Sequence, residues 1–219
     1  MEHLGDCKKE VVKYSHLLYE RGLVTAAGGN VSMRCKDTVV ITASGVSLRD
    51  TQEDNLIVCD LNGKLIFCPE GLKPSKETIF HLKIYQIRED VDSVIHVHPA
   101  YSVGYSINDR KIPVLTASAK MKVIDVPVVD YANPGTEELA AYVEQTVKEA
   151  PENIHAVVLK AHGIIAYENG MSQCFDTAEL VEDTAHIAYV AETLQNNKYT
   201  GGNSDKGQWR GCSKNMFIM

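Results

Sequence analysis

The sequence predicts an α/β layered domain with a central mixed, largely antiparallel sheet flanked by helices, and three observations lead there. Strand-like segments cluster first and helical segments fall between the later strands, the pattern of a layered α/β domain. LIVCD (56–60) and KLIFC (64–68) flank Asn62-Gly63, the strongest short-range signal for a hairpin, which argues against a wholly parallel sheet. At 219 residues, 44% hydrophobic and 23% charged, the chain suits one good-sized domain with a substantial core. That domain is expected over residues 1–200, followed by a polar tail at 201–219.

Val11, Val12, Leu17 and Leu18 recur at helical spacing across residues 6–20, and Gly22 ends that helix. TAAGGNVSMRC (25–35) is small and glycine-rich before it turns strand-like. VVIT (39–42) reads as a strand running into a turn at Ala43-Ser44-Gly45. SKETIFHLKIYQIRE (75–89) is an amphipathic helix with Ser75 as its N-cap and Glu77 in its first turn. A β-branched strand follows at VIHV (94–97), then a short helix after Pro99 and apolar strands near 112–116 and 123–129. Gly135 opens a helix to about Glu149, and HAVVLKAHGIIAY (155–167) reads as two strands around a turn at His162-Gly163. A long helix spans about 171–196, and the glycine-rich tail shows neither period.

Composition narrows the function classes. A formal charge of -7 gives no footprint for nucleic acid or an acidic membrane. No apolar run approaches the roughly 18–20 residues that span a bilayer. The charged N-terminus, MEHLGDCKKEVVKY, is not a secretory signal. Six cysteines at 7, 35, 59, 68, 174 and 212 form no CxxC pair, which fits reduced thiols and a cytoplasmic location.

The chemistry is concentrated in histidines. His96 and His98 lie two apart on a strand, so both side chains share one face. Two charged imidazoles there would repel, and two buried neutral ones would each need a partner. A divalent metal resolves the conflict; a surface or hydrogen-bonded pair is the other reading. His162, at a turn between two apolar strands, would complete a three-nitrogen set, or serve only as a turn residue. Glu77 would add a carboxylate, or merely complement the helix dipole. His81, four residues on, reads as a surface partner of Glu77.

Five motifs in order resemble the class II aldolase/adducin family, the zinc-dependent group that includes L-fuculose-1-phosphate aldolases and L-ribulose-5-phosphate 4-epimerases. They are Gly29-Asn30-Val31-Ser32, Thr42-Ala43-Ser44-Gly45, Pro74-Ser75-Lys76-Glu77 with His81 after it, His96-Val97-His98, and His162-Gly163. The resemblance implies a zinc site (manganese or cobalt in some settings) held by His96, His98 and His162. Glu77 would touch the metal and then serve as general acid/base. It implies a phosphate cradle at Asn30, Ser44, Gly45 and Ser75, with Lys76 of this chain added beside it as a candidate, and a homotetramer with active sites at subunit interfaces. The substrate expected is a small phosphorylated ketose, cleaved through a metal-stabilised enediolate to dihydroxyacetone phosphate and an aldehyde.

Two departures qualify the match. Ala117 stands where fuculose-phosphate aldolases carry a proton-donating tyrosine from a neighbouring subunit, leaving Tyr131 or Tyr101 as substitutes. Lys76 stands where many aldolases have a small residue; it could hold phosphate, hold a substrate carboxylate, or point to solvent. A decarboxylase of a phosphorylated 3-oxo sugar acid and a 4-epimerase are therefore rivals. A non-catalytic adducin-like scaffold is a third, disfavoured because it has no need of three histidines and Glu77.

Overall fold

Strands rich in β-branched residues assemble where both of their faces can be covered, and the computed structural model, which describes residues 2–196, shows such a sheet. Its strands are β1 (Asn30–Cys35), β2 (Thr38–Thr42), β3 (Leu56–Asp60), β4 (Leu65–Phe67), β5 (Ser93–Val97), β6 (Val128–Val129), β7 (Ala156–Leu159) and β8 (Gly163–Glu168). They lie in the order β4-β3-β2-β1-β5-β8-β7-β6, antiparallel throughout except for the β6–β7 pair. The helices are α1 (Glu2–Glu20), α2 (Thr78–Ile87), α3 (Ala100–Ile107), α4 (Ala117–Lys122), α5 (Glu137–Glu149) and α6 (Met171–Asn196).

Alternation along each strand sorts the core into two layers. Val31, Val40, Ile95, Val97, Val158 and Ile164 face α1, α3, α4 and α6. Val39, Val94, Val157 and Ile165 face α2 and α5. All five residues of β5 are buried, so the central strand reads as a continuous apolar run broken only by Ser93 and His96. Since Ile95 and Val97 face α6, the period of two puts His96 on the α2 face.

The Asn62-Gly63 hairpin forms as its sequence predicts: Gly63 adopts φ 82°, and Asp60 Oδ1 accepts the N–H groups of Asn62 and Lys64. The stretch 112–129 differs from expectation. Only Val128–Val129 is strand, and Ala117–Lys122 is a helix capped by the Thr116 hydroxyl. Ile112, Val123 and Val126 are buried as expected of apolar residues, but Pro113 and Pro127 lack the N–H groups a ladder needs. The helix expected at 75–89 is shorter, and Glu77, not Ser75, occupies its N-cap position. The polar tail, with Tyr199 and Trp209, lies outside the described residues.

Two side chains fix the segments that carry the histidines. Glu182 of α6 accepts the N–H groups of Tyr101 and Ser102 and the Ser102 hydroxyl, anchoring α3 directly after His98-Pro99. Arg88, at the end of α2, donates to the carbonyls of Ile154 and Glu152, makes a bidentate pair with Asp90, and lies 5.4 Å from the centre of the Tyr167 ring. The guanidinium holds the Asp90 carboxyl below the usual carboxylate range. Arg88→Ala should therefore lower stability by about 2–3 kcal/mol in urea unfolding at pH 7, since carbonyl acceptors and a carboxylate lose a charged donor together. Asp90 has its lower pKa in the folded state, so its share is present above the unfolded carboxyl's pKa and disappears as pH falls through the folded one. The cost of Arg88→Ala should shrink between pH 7 and pH 3; a cost independent of pH would remove Asp90 from the account.

Candidate metal centre

Two separate pieces of chain, the end of β5 and the β7–β8 turn, deliver the three histidines to one point. β1, β5 and β8 are neighbours, and Asn30 sits directly opposite His96 in the β1–β5 register. His96 is fully buried, and its Nδ1–H donates to the Ile164 carbonyl of β8 at 2.9 Å, leaving Nε2 as the bare nitrogen. His98 follows β5 with its backbone N–H bonded to the Leu23 carbonyl. His162 ends the tight β7–β8 turn, in which Ala161 takes φ 55°. One ligand atom from each of the three lies within 4.8 Å of the others, and His96 Nε2 and His98 Nε2 are 2.9 Å apart. Glu77 closes the group, with Oε2 3.4 Å from His96 Nε2 and Oε1 3.3 Å from His162 Nε2.

This packing depends on missing side chains. A Cβ at Gly163 would come within 2.4 Å of the Val97 carbonyl oxygen and 2.7 Å of His98 Cδ2. A Cβ at Gly28 would meet His98 Nδ1 at 2.8 Å, and one at Gly29, where φ is 75°, would meet the His96 carbonyl oxygen at 2.8 Å. Gly29 and Gly163 belong to motifs visible in the sequence. The part played by Gly28 was missed, although the Gly28-Gly29 doublet beside a future strand signals close backbone approach.

The electrostatics favour neutral rings. Burial, then His98 and His162, holds His96 far below the usual histidine range. Burial, then His162, pushes His98 down to about 4. His162 is lowered too, burial outweighing the opposite pull of Glu77. Neutral imidazole is the ligating form, and His96 already has its second nitrogen committed to a carbonyl. Three imidazole nitrogens with a carboxylate beside them form a donor set that fits a divalent transition ion.

His81 is a correction. It is fully buried and makes no surface pair with Glu77. Its Nε2 meets Asn30 Oδ1, its Nδ1 lies 2.7 Å from Ser32 Oγ, and Tyr85 Oη lies 2.8 Å from the same hydroxyl. Asn30 Nδ2 in turn donates to Glu77 Oε2 at 2.8 Å. Asn30 and Ser32, two apart on β1, thus face Glu77 at the N-cap of α2 and His81 and Tyr85 within it, each four residues on from the last. That pair of matched periods was the signal available in the sequence. Burial pushes the His81 pKa down to about 3.

The expected phosphate residues divide. Ser44 N–H donates to the Lys73 carbonyl, and Ala43 bridges Pro74, so the Ser44-Gly45 turn lies beside the Ser75-Lys76 loop. Ser75 Oγ accepts the Glu77 N–H. Lys76 is exposed, its stem packed against Gly135. Asn30 stands apart from that loop pair in one respect: both ends of its amide are engaged by Glu77 and His81. Neither candidate tyrosine bonds to the histidines among the described residues. Tyr131 is exposed with its hydroxyl on Asn133, and Tyr101 stacks on His186 at 4.1 Å. Ala117 opens α4. No helix among the described residues is long and apolar enough to cross a membrane.

Comparison with known proteins shows the family of the chain. The family described as "Class II Aldolase and Adducin N-terminal domain" matches residues 9–189. The L-fuculose phosphate aldolase of Methanococcus maripaludis is 33% identical over 186 residues, 85% of this chain and 98% of that one. The 5-deoxy-D-ribulose 1-phosphate aldolase of Bacillus thuringiensis serovar kurstaki is 30% identical over 190 residues, covering 85% and 86%. A solved structure of L-fuculose 1-phosphate aldolase superposes with a TM-score of 0.77 at 34% identity, covering 86% of this chain and 87% of that one. The chain belongs to the class II aldolase/adducin family.

Proposed function

We propose that this chain is a metal-dependent carbon–carbon lyase that cleaves a phosphorylated ketose of the L-fuculose 1-phosphate kind to dihydroxyacetone phosphate and an aldehyde. The observation that carries the reading is the meeting of His96, His98 and His162 with Glu77 between two of them. Its similarity to relatives named L-fuculose phosphate aldolase and 5-deoxy-D-ribulose 1-phosphate aldolase supports the substrate class. His96, His98 and His162 would hold a divalent ion, zinc by the chemistry of the set, with Glu77 as a fourth contact. Bound there, the ion supplies Lewis-acid polarisation of the ketose carbonyl.

The protein's own groups do the remaining work. The Ser44-Gly45 turn and the Ser75-Lys76 loop, side by side, offer backbone N–H groups, hydroxyls and one ammonium to the phosphate. The Glu77 carboxylate carries the proton, taking it from the substrate hydroxyl whose carbon becomes the aldehyde and delivering it to the carbon left behind. The reaction belongs to a cytoplasmic enzyme, assembled as a homotetramer, with no nucleic-acid or membrane partner.

Metal analysis of the purified protein beside a lyase screen tests the reading. Dihydroxyacetone phosphate should appear from ketose 1-phosphates only with metal present; carbon dioxide from 3-oxo-tetronate 4-phosphates instead would give Lys76 to a carboxylate and the enzyme to decarboxylation. Glu77→Gln should keep fold and most metal while kcat falls by about 100-fold or more; normal turnover would remove Glu77 as proton carrier. His98→Ala, at a half-buried position, should empty the site while far-UV circular dichroism stays unchanged, and full metal occupancy would sink the ligand assignment. Gly28→Ala should weaken metal binding by about 10- to 100-fold through displacement of His98, read by competition with a chromogenic chelator.

A further inference from the structure

We propose that His81 is a positioning residue for Glu77: it fixes which way the Asn30 amide points, and through that amide it fixes the carboxylate. The inference rests on Glu77 as the proton carrier, and the polarity of the hydrogen bonds forces each link. A carboxylate only accepts, so Asn30 must turn Nδ2 to Glu77 Oε2, 2.8 Å away. Asn30 Oδ1 then faces His81 Nε2 and needs a donor, so His81 carries its proton on Nε2. Nδ1 is left as a bare acceptor and takes the Ser32 hydroxyl proton across 2.7 Å. With that proton committed, Ser32 Oγ accepts from Tyr85 Oη at 2.8 Å. Tyr85, Ser32, His81 and Asn30 thus donate in one direction, ending on Glu77.

A primary amide is nearly the same shape after a half-turn, so packing alone does not orient Asn30; only the chemistry of its neighbours does. Without a donor at Nε2, the flipped amide, with Oδ1 against the carboxylate, is no longer excluded. Glu77 would then be pushed from its place between His96 and His162. Water does not substitute, because Ser32 and His81 are fully buried and Tyr85 nearly so. Burying an imidazole beside Phe80 (ring centres 5.0 Å apart) costs desolvation that an apolar residue would avoid. The polar chain to Glu77 is what distinguishes His81 from a core filler.

The test compares three variants. In His81→Gln the amide nitrogen reaches the place of Nε2; in His81→Asn it reaches only the place of Nδ1; His81→Leu keeps bulk alone. His81→Asn and His81→Leu should lower kcat by about 10- to 100-fold with KM for the ketose phosphate little changed. His81→Gln should recover most of that loss, a rescue that a merely structural role does not predict. Gln and Asn variants with equal kcat would overturn the proposal. A readout free of turnover uses the unaltered protein: imidazole ¹⁵N NMR at neutral pH should show His81 as the Nε2–H tautomer, and an Nδ1–H ring or an imidazolium would overturn it. The two readings fail separately. Turnover in Glu77→Gln removes the proton carrier whatever His81 does, whereas an inactive Glu77→Gln with equal Gln and Asn variants removes only the positioning role.

Discussion

Three imidazoles converge beside one carboxylate in a volume where burial and their mutual proximity keep the rings neutral, and much of the surrounding structure serves that constraint. His96 Nε2 and His98 Nε2 are 2.9 Å apart, a distance at which two N–H groups could not face each other. The sheet order places β1, β5 and β8 side by side, so the ring of β5 finds the Ile164 carbonyl on one side and Asn30 on the other. The backbone approaches so closely that Gly28, Gly29 and Gly163 have no room for a methyl group. Glu182 then ties the chain just beyond His98, where a loose loop would let the ring swing away.

What was legible in the sequence follows from which forces are local. The HxH spacing needed only the strand period to put two rings on one face, and the Asn-Gly hairpin needed only turn chemistry. The meeting of His162 with His96 depends on β8 pairing with β5 across some 70 residues, a contact that no local period encodes. The five ordered motifs carried it through resemblance instead. The stretch 112–129 misled because burial and strand character were read as one property. Ile112, Val123 and Val126 are buried, yet two prolines and a Thr116 cap make that chain a loop and a short helix.

His81 misled for the opposite reason. A histidine four residues after a glutamate on a helix looks like an exposed pair, and only tertiary packing shows that the face they share is turned inward. Once β1 lies against α2, a period of two meets a period of about 3.6. Asn30 and Ser32 then fall opposite Glu77, His81 and Tyr85. Each of these polar groups is satisfied by another, so the row can be buried without leaving an unpaired donor beside the carboxylate.

The missing tyrosine bears on how few groups the chemistry requires. Cleaving a bond between a hydroxyl-bearing carbon and its neighbour moves one proton off an oxygen and one onto a carbon. Those two transfers balance, so a single carboxylate that accepts the first and donates the second ends the cycle in its starting state. The proposed shuttle would start from a carboxylate with one oxygen beside His162 and the other beside His96 and the Asn30 amide. On the proposed reading, with Ala117 where the resemblance implies a tyrosine and Tyr101 and Tyr131 engaged elsewhere, the accuracy with which one carboxylate is aimed would set the rate, and that aim would pass through Asn30.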